Sequence, residues 1–454
     1  MRGYSRNGIP SFVFFGSVLI FITTILCGIG RSDVLIAPND PGINYYGRVD
    51  FSTPEKPVYN WSGVIIEAAF PGPTIGMNID HSNSFYDIEI DGKPDTTISV
   101  GSKKQFIFKK NLSKELHTVR IILRSEDHYT LGTFLGLYLA DGKKLASAPP
   151  KPSRKIEFIG DSYTAGYGIE STSRSCSEQE LHRNTNVNKT FAMRVTKAFH
   201  AQSQILAWSG AGVVRNYGEP AKRSAEPYPT YYDLLLGKGS TKKWDFKQWT
   251  PDLVVICLGT NDYSTDPQPD DSMYIGDYHK LIARIIGNYP DAAIACVATD
   301  DATIIKKVKT VVTEENGSLA HTQVFGAGFP KTMELTGCDW HPSLTDNKNI
   351  SALLIDTVMK RLDWDTTAVS AVAVSESPFR TLNRVTIEQQ HRQLVLKSAD
   401  YEGRTVYLTD IRGKRIRTAD FVSECCMVPT TGLSSGIYCV GNGQIGWQSV
   451  SIRR

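Results

Sequence analysis

The stretch "FIGDSYTAGYG", residues 158–168, decides how this chain folds. An apolar run ends in Gly160-Asp161-Ser162, and Gly166 and Gly168 follow closely. A strand that stops on such a turn exposes Ser162 at its carboxyl end. There it meets the start of a helix, whose backbone N–H groups favour negative charge. In an open parallel sheet, reactive groups collect along that edge. Taken alone, Gly-Asp-Ser describes a strand-to-helix turn with its N-cap equally well.

The surroundings extend the pattern. "KIEFI", "SQILAW", "DLVVICL" and "AAIACVA" are short apolar runs of the kind a sheet buried on both faces needs. Helical periodicity lies between them. "DYHKLIARIIGNYP" puts Tyr278, Leu281, Ile282 and Ile285 on one face, and "NISALLIDTVMKRL" does so with Ile350, Leu353, Leu354 and Val358. Strands alternating with helices imply a parallel sheet with covered faces over residues 151–365. Before it, residues 31–150 read as a β-sandwich: "HTVRIILRS" and "TFLGLYLADGKKL" are strand-like, with Asp91-Gly92 and Asp141-Gly142 turns. "SAPPKPS" forms a stiff linker. After Asp365 the helices stop, and residues 366–454 read as a second small β-sandwich.

The chain has 454 residues, more than one core usually organises. A net charge of +3 carries no basic excess for nucleic acid. Aromatic residues make up 10 %, which suits sugar-stacking surfaces as well as core filling. Arg2 and Arg6 precede "SFVFFGSVLIFITTILCGIG", so residues 1–30 read as a signal peptide cleaved before Arg31 and the protein as secreted or held at the cell surface. An uncleaved anchor is the rival reading, and Cys27 offers a weak lipid-attachment site. Of eight cysteines, seven remain after such cleavage, an odd number that does not form a complete disulfide framework. Cys425 or Cys426 is placed to reach Cys439 across a hairpin, and Cys257 reads as a buried free thiol. No spacing of His and Cys suggests a metal, and no Lys-Ser/Thr pair follows the glycines, so neither a metal nor a nucleotide is expected.

Three more stretches bear on Ser162. "AWSGAGVVRN" places Gly210 after the second strand, "LGTND" places Asn261 after the third, and "GCDWHPS" places His341 before the last helix. Ser, Gly, Asn and His at the ends of elements are the parts acyl transfer needs. Ser162 is the expected nucleophile and His341 the base. The Ser162 N–H, the Gly210 N–H and the Asn261 amide are the expected oxyanion donors. Trp340 reads as a sugar platform or as packing under the loop. Trp208 reads as core, and the eight histidines other than His341 as surface or loop residues.

These four stretches resemble the sequence blocks of SGNH (GDSL-type) hydrolases. With the preceding β-domain, they resemble carbohydrate esterase family 2 over about 330 residues. The resemblance implies an N-terminal jelly roll, a three-layer α/β hydrolase domain, no cofactor, and removal of acetyl groups from plant polysaccharides such as xylan and glucomannan. One block departs from the general pattern. The acid that orients the base lies three residues before the histidine in SGNH enzymes, and here that position is Cys338. Either Asp339, two residues before, or a backbone carbonyl then orients His341. The tail "VYLTDIRGKRI…TGLSSGIYCVG…SVSIRR" resembles the C-terminal sorting domain of type IX secretion, which implies secretion machinery as a partner; a carbohydrate-binding or spacer domain is its rival. Otherwise a monomer is expected. Two other functions stay open: an SGNH esterase or lipase of different specificity, and a polysaccharide-binding protein with weak turnover.

Overall fold

The computed structural model describes residues 33–126, 130–237, 240–299, 301–318 and 323–366, and parts of 386–452. The expected signal segment and the Asp410–Gly413 turn therefore lie outside the described residues. Five parallel strands form the central sheet, in the spatial order Ala201–Ala207, Arg154–Gly160, Leu253–Cys257, Ala293–Ala298 and Val324–Gly328. Every residue of Leu253–Cys257 and Ala293–Ala298 is buried, which explains their continuous apolar sequence. The first strand in the chain lies between the second and the third, so the connections diverge on either side of it. A crevice opens there at the carboxyl edge. Ser162 follows the first strand and Asn261 the third, so the topology brings both to that crevice.

Helices cover both faces. Phe191–Ala198 and Leu344–Leu362 share a core with Phe158, Val255 and Phe325, while Asp271–Asn288 and Ala302–Ser318 share one with Ile159, Val254 and Ile256. Tyr278, Leu281, Ile282 and Ile285 are buried as their spacing predicts. In the last helix Ile350, Leu354 and Val358 are buried, but Leu353 is 43 % exposed. The buried face runs from Asp346, Ile350, Leu354 and Val358 toward Asn347 and Ser351, and Leu353 falls beyond its other edge.

The N-terminal domain is two five-stranded antiparallel sheets packed face to face. Met77, Ile79, Phe134 and Leu137 of one meet Ile66, Phe70, Ile88 and Ile121 of the other. The Asp91-Gly92 turn joins strands Ser84–Ile90 and Lys93–Val100 with φ of 51° and 71°. Both residues are left-handed, as a two-residue hairpin that matches strand twist requires.

This domain is joined to the central one by more than a linker. Tyr46, Ile65 and Ile122 share a core with Ile156, Phe158 and Ile205. Fully buried Arg48 donates to the carbonyls of Tyr232 (2.5 Å) and Leu234 (2.7 Å) and lies 3.5 Å from Glu157 of the first central strand. The Tyr232 hydroxyl donates to the same carboxylate at 3.0 Å. In the tail, a three-stranded and a four-stranded antiparallel sheet share a small core of Leu394, Leu396, Val406, Leu408, Val428 and Val440.

Candidate active site

Ser162 opens a short helix, Ser162–Ala165, capped by the Asp161 carboxylate, which accepts from the Tyr163 N–H at 3.0 Å. The structure brings Ser162 and His341 together across 179 residues of sequence: Ser162 Oγ and His341 Nε2 are 2.8 Å apart. His341 Nδ1 lies 2.9 Å from the Cys338 carbonyl and 3.2 Å from that of Asp339. A carbonyl only accepts, so Nδ1 carries the proton. Nε2 is then the lone-pair nitrogen that faces the serine hydroxyl. Burial holds His341 below the usual histidine pKa; the two carbonyls and the Asp339 and Glu126 carboxylates oppose the shift.

The Asp339 side chain is not on the imidazole. Its Oδ2 accepts from the Tyr167 hydroxyl at 2.9 Å, and the Tyr167 ring lies over His341 with centroids 4.3 Å apart. A left-handed turn causes this. Asp339 and Trp340 have φ of 51° and 63°, which turns the backbone carbonyls toward the ring and the carboxylate away.

Gly210 and Asn261 also reach the crevice. Gly210 has φ of 80°, a conformation that costs an L-residue roughly 1–2 kcal/mol, and glycine adopts it freely. Among the described residues, neither the Gly210 N–H nor the Ser162 N–H donates to a protein acceptor. The Asn261 amide donates to the Ala211 carbonyl at 2.9 Å and reaches Asp161 Oδ2 at 3.3 Å.

Three carboxylates not singled out from the sequence support this arrangement. Buried Asp262 accepts from the N–H groups of Val213 (2.9 Å), Val214 (2.7 Å) and Arg215 (2.9 Å), fixing the loop that carries Gly210 to the helix that carries Asn261. Burial lifts its pKa to about 6 against those three donors. Asp161 is lifted to about 7 by burial, with Asp262 and Glu126 adding to the shift. Glu126 belongs to the N-terminal domain and accepts from Ser209 N–H at 2.6 Å and from Ser209 Oγ. Only their fold neighbours mark these residues, so the sequence carried no signal for them beyond adjacency to Ser162 and Asn261.

Trp340 is 60 % exposed beside His341, with the Arg174 guanidinium 3.6 Å from its ring centroid. Tyr217 is exposed as well, and its N–H donates to the Gly210 carbonyl at 2.8 Å. Trp208 is buried and stacks on Tyr231, a core role. His81 lies in a loop between two strands, buried against the Tyr86 hydroxyl. One disulfide adds to the cysteine reading: Cys176 is bonded to Cys338, the residue whose carbonyl meets His341. The two are 162 residues apart, so no spacing revealed them. Cys257 is buried and free as expected, while the Cys425 and Cys439 side chains lie outside the described residues. Among the described residues, no group of three His, Cys, Asp or Glu is arranged to hold a metal ion.

Comparison with known proteins places the chain in a family. Residues 45–149 match the family described as carbohydrate esterase 2 N-terminal, and residues 158–326 the GDSL-like lipase/acylhydrolase family. The chain is 34 % identical over 332 residues to an acetylxylan esterase / glucomannan deacetylase of Cellvibrio japonicus, covering 69 % of this chain and 90 % of that protein. A family two carbohydrate esterase from Clostridium thermocellum, solved in complex with cellohexaose, superposes with a TM-score of 0.67 at 32 % identity, over 71 % of this chain and all of that one. A family two carbohydrate esterase from Cellvibrio japonicus gives 0.65 at 26 % identity, over 74 % of this chain and 99 % of the other.

Proposed function

Because the chain belongs to carbohydrate esterase family 2 and is a carboxylic ester hydrolase, we propose that it removes O-acetyl groups from plant polysaccharides through a Ser162–His341 acyl-enzyme. The observation that carries this reading is the 2.8 Å contact between Ser162 Oγ and His341 Nε2, with Nδ1 held on a carbonyl. His341 Nε2 takes the hydroxyl proton as Oγ attacks the acetyl carbonyl. Charge builds on the carbonyl oxygen and is met by the Ser162 N–H, the Gly210 N–H and the Asn261 amide. The long Asn261–Asp161 contact is the one that amide gives up most cheaply. One such donor is worth roughly 3–4 kcal/mol in the transition state. The imidazolium then passes its proton to the leaving sugar alkoxide. A water deprotonated by the same nitrogen releases acetate and restores Ser162.

The Cys338 carbonyl does the work an aspartate does in a triad: it holds the tautomer and faces the imidazolium. Exposed Trp340 and Tyr217 flank the crevice and suit stacking against sugar rings. A relative solved in complex with cellohexaose supports an oligosaccharide as the ligand. Export through residues 1–30, with the tail serving as a sorting domain for type IX secretion, completes the proposal and rests on sequence resemblance. The test is acetate release from acetylated xylan and acetylated glucomannan, measured beside hydrolysis of long-chain acyl esters. Release from the polysaccharides with little action on long acyl chains supports the reading. The reverse preference points to an esterase or lipase of other specificity, and binding without release to a binding protein.

A further inference from the structure

Cys338 occupies the place where SGNH enzymes carry the orienting acid, and this fold uses the residue twice. Its carbonyl accepts from His341 Nδ1 at 2.9 Å, and its sulfur is bonded to Cys176, with the Cα atoms 5.6 Å apart. The turn that presents the carbonyl is unfavourable by itself. Asp339 and Trp340 are consecutive non-glycine residues at φ of 51° and 63°, each costing about 1–2 kcal/mol. Such a turn persists only where its surroundings hold it.

Beside the Gly337–His341 backbone bond and the Tyr167 hydrogen bond to Asp339, the turn is held by one loop, residues 168–176. Cys338 is fully buried against Gly168, where an added Cβ would stand 2.4 Å from the Cys338 Cβ. The Asp339 N–H donates to the Arg174 carbonyl at 2.8 Å. The Arg174 side chain donates to the carbonyls of Leu335 (2.7 Å) and Glu334 (2.9 Å) and covers Trp340. Loop and turn therefore clasp each other, and the disulfide is their covalent closure.

We propose that Cys176 is a positioning residue for the base. Through its disulfide it keeps the Cys338 carbonyl on His341, so hydrolysis requires the oxidised form. The inference rests on the Ser162–His341 reading above. A dithiol donates two electrons and two protons, the sulfur–sulfur bond breaks into two thiols, and the dithiol closes to its own disulfide. Nothing in the crevice is removed, but the turn is free to relax toward ordinary φ, which takes the carbonyl off Nδ1. Misplacing a catalytic group by about 1 Å costs on the order of 100-fold. Acetate release in a reducing compartment would then be suppressed until the bond forms.

The test uses the full chain and 4-nitrophenyl acetate, with the thiol state of Cys176 and Cys338 read by alkylation and peptide mass. Folding is followed by circular dichroism, and Ser162 reactivity by a fluorophosphonate probe. Reduction by dithiothreitol should lower kcat by at least about tenfold, with KM within about twofold and the fold retained. Ser162 labelling should slow in parallel, and reoxidation should restore both. Cys176→Ser should show the lowered kcat from the outset and be insensitive to reductant. If that variant does not fold, reduction of the native enzyme alone decides. Full kcat with both thiols demonstrably free overturns the inference and leaves the dyad reading intact. An oxidised wild type that neither hydrolyses the ester nor takes the probe overturns the dyad reading and this inference with it.

Discussion

Replacing Asp339 should barely change the chemistry, although it is the acidic residue nearest the base in sequence. Its carboxylate accepts one hydrogen bond, from Tyr167 at 2.9 Å, and makes none to His341. A hydrogen bond to a carboxylate contributes about 1.5–3 kcal/mol net, but this one holds Tyr167 rather than the imidazole and lies at an exposed residue, so its loss should reach the rate as at most about tenfold. The charge itself acts on His341 only from an exposed position, where solvent screens it. Backbone strain separates the variants. Alanine at a φ of 51° tolerates the left-handed region less well than aspartate, so Asp339→Ala adds a cost of about 1 kcal/mol in the turn. Asparagine accepts that conformation and still offers an oxygen to Tyr167. Asp339→Asn is therefore expected within about threefold of wild type, and Asp339→Ala within about tenfold. His341→Ala should lose nearly all activity. The assay is kcat/KM on one acetyl ester at a pH above the histidine's titration, for all three variants. Losing a true triad aspartate costs on the order of 10⁴-fold. A loss of that size in Asp339→Asn would refute the assignment of the orienting role to the carbonyls.

Other consequences follow from the same coordinates. His341 must be neutral to accept a proton, and burial holds its pKa below the usual 6.5. Activity should therefore persist below that pH and fall only as the more acidic titration is crossed; an acidic limb of kcat/KM above it would contradict the burial. Asp262→Asn sets an amide nitrogen against a backbone N–H that now meets a carboxylate oxygen. Leaving such a buried donor unpaired costs about 1–3 kcal/mol, so both the melting temperature and kcat should drop, the latter through Gly210. Arg48→Met leaves the Glu157 carboxylate buried and without its cation, a change worth roughly 3–5 kcal/mol in denaturant unfolding; adding Glu157→Gln should recover part of it. Equal stability of the single and double variants would contradict the cost assigned to the unpaired Glu157 carboxylate.

The central sheet and the four candidate site positions were readable because each rests on a local pattern. Buried parallel strands must be apolar throughout, and the reactive residues of such a sheet sit just past the strand ends. Ser162, Gly210 and Asn261 obey that rule, while His341 is marked instead by its place just before the last helix. What escaped notice depends on distant chain segments. Glu126 arrives from the other domain to hold Ser209. Cys176 and Cys338 are joined across 162 residues of sequence. The choice between Asp339 and a carbonyl turned on two positive φ angles, at Asp339 and Trp340, which no side-chain pattern discloses. Leu353 is exposed for a similar reason: the face the helix buries is rotated toward Asn347 and Ser351, which the apolar spacing does not disclose.

The most direct measurement is the identity of the covalent intermediate. The enzyme is mixed with excess 4-nitrophenyl acetate, quenched in acid within the first turnovers, digested and analysed by peptide mass. One acetyl group is expected on Ser162, absent from Ser162→Ala, together with loss of acetate release from acetylated xylan in a variant that remains folded. Acetylation at another residue, or full acetate release by Ser162→Ala, would contradict the mechanism.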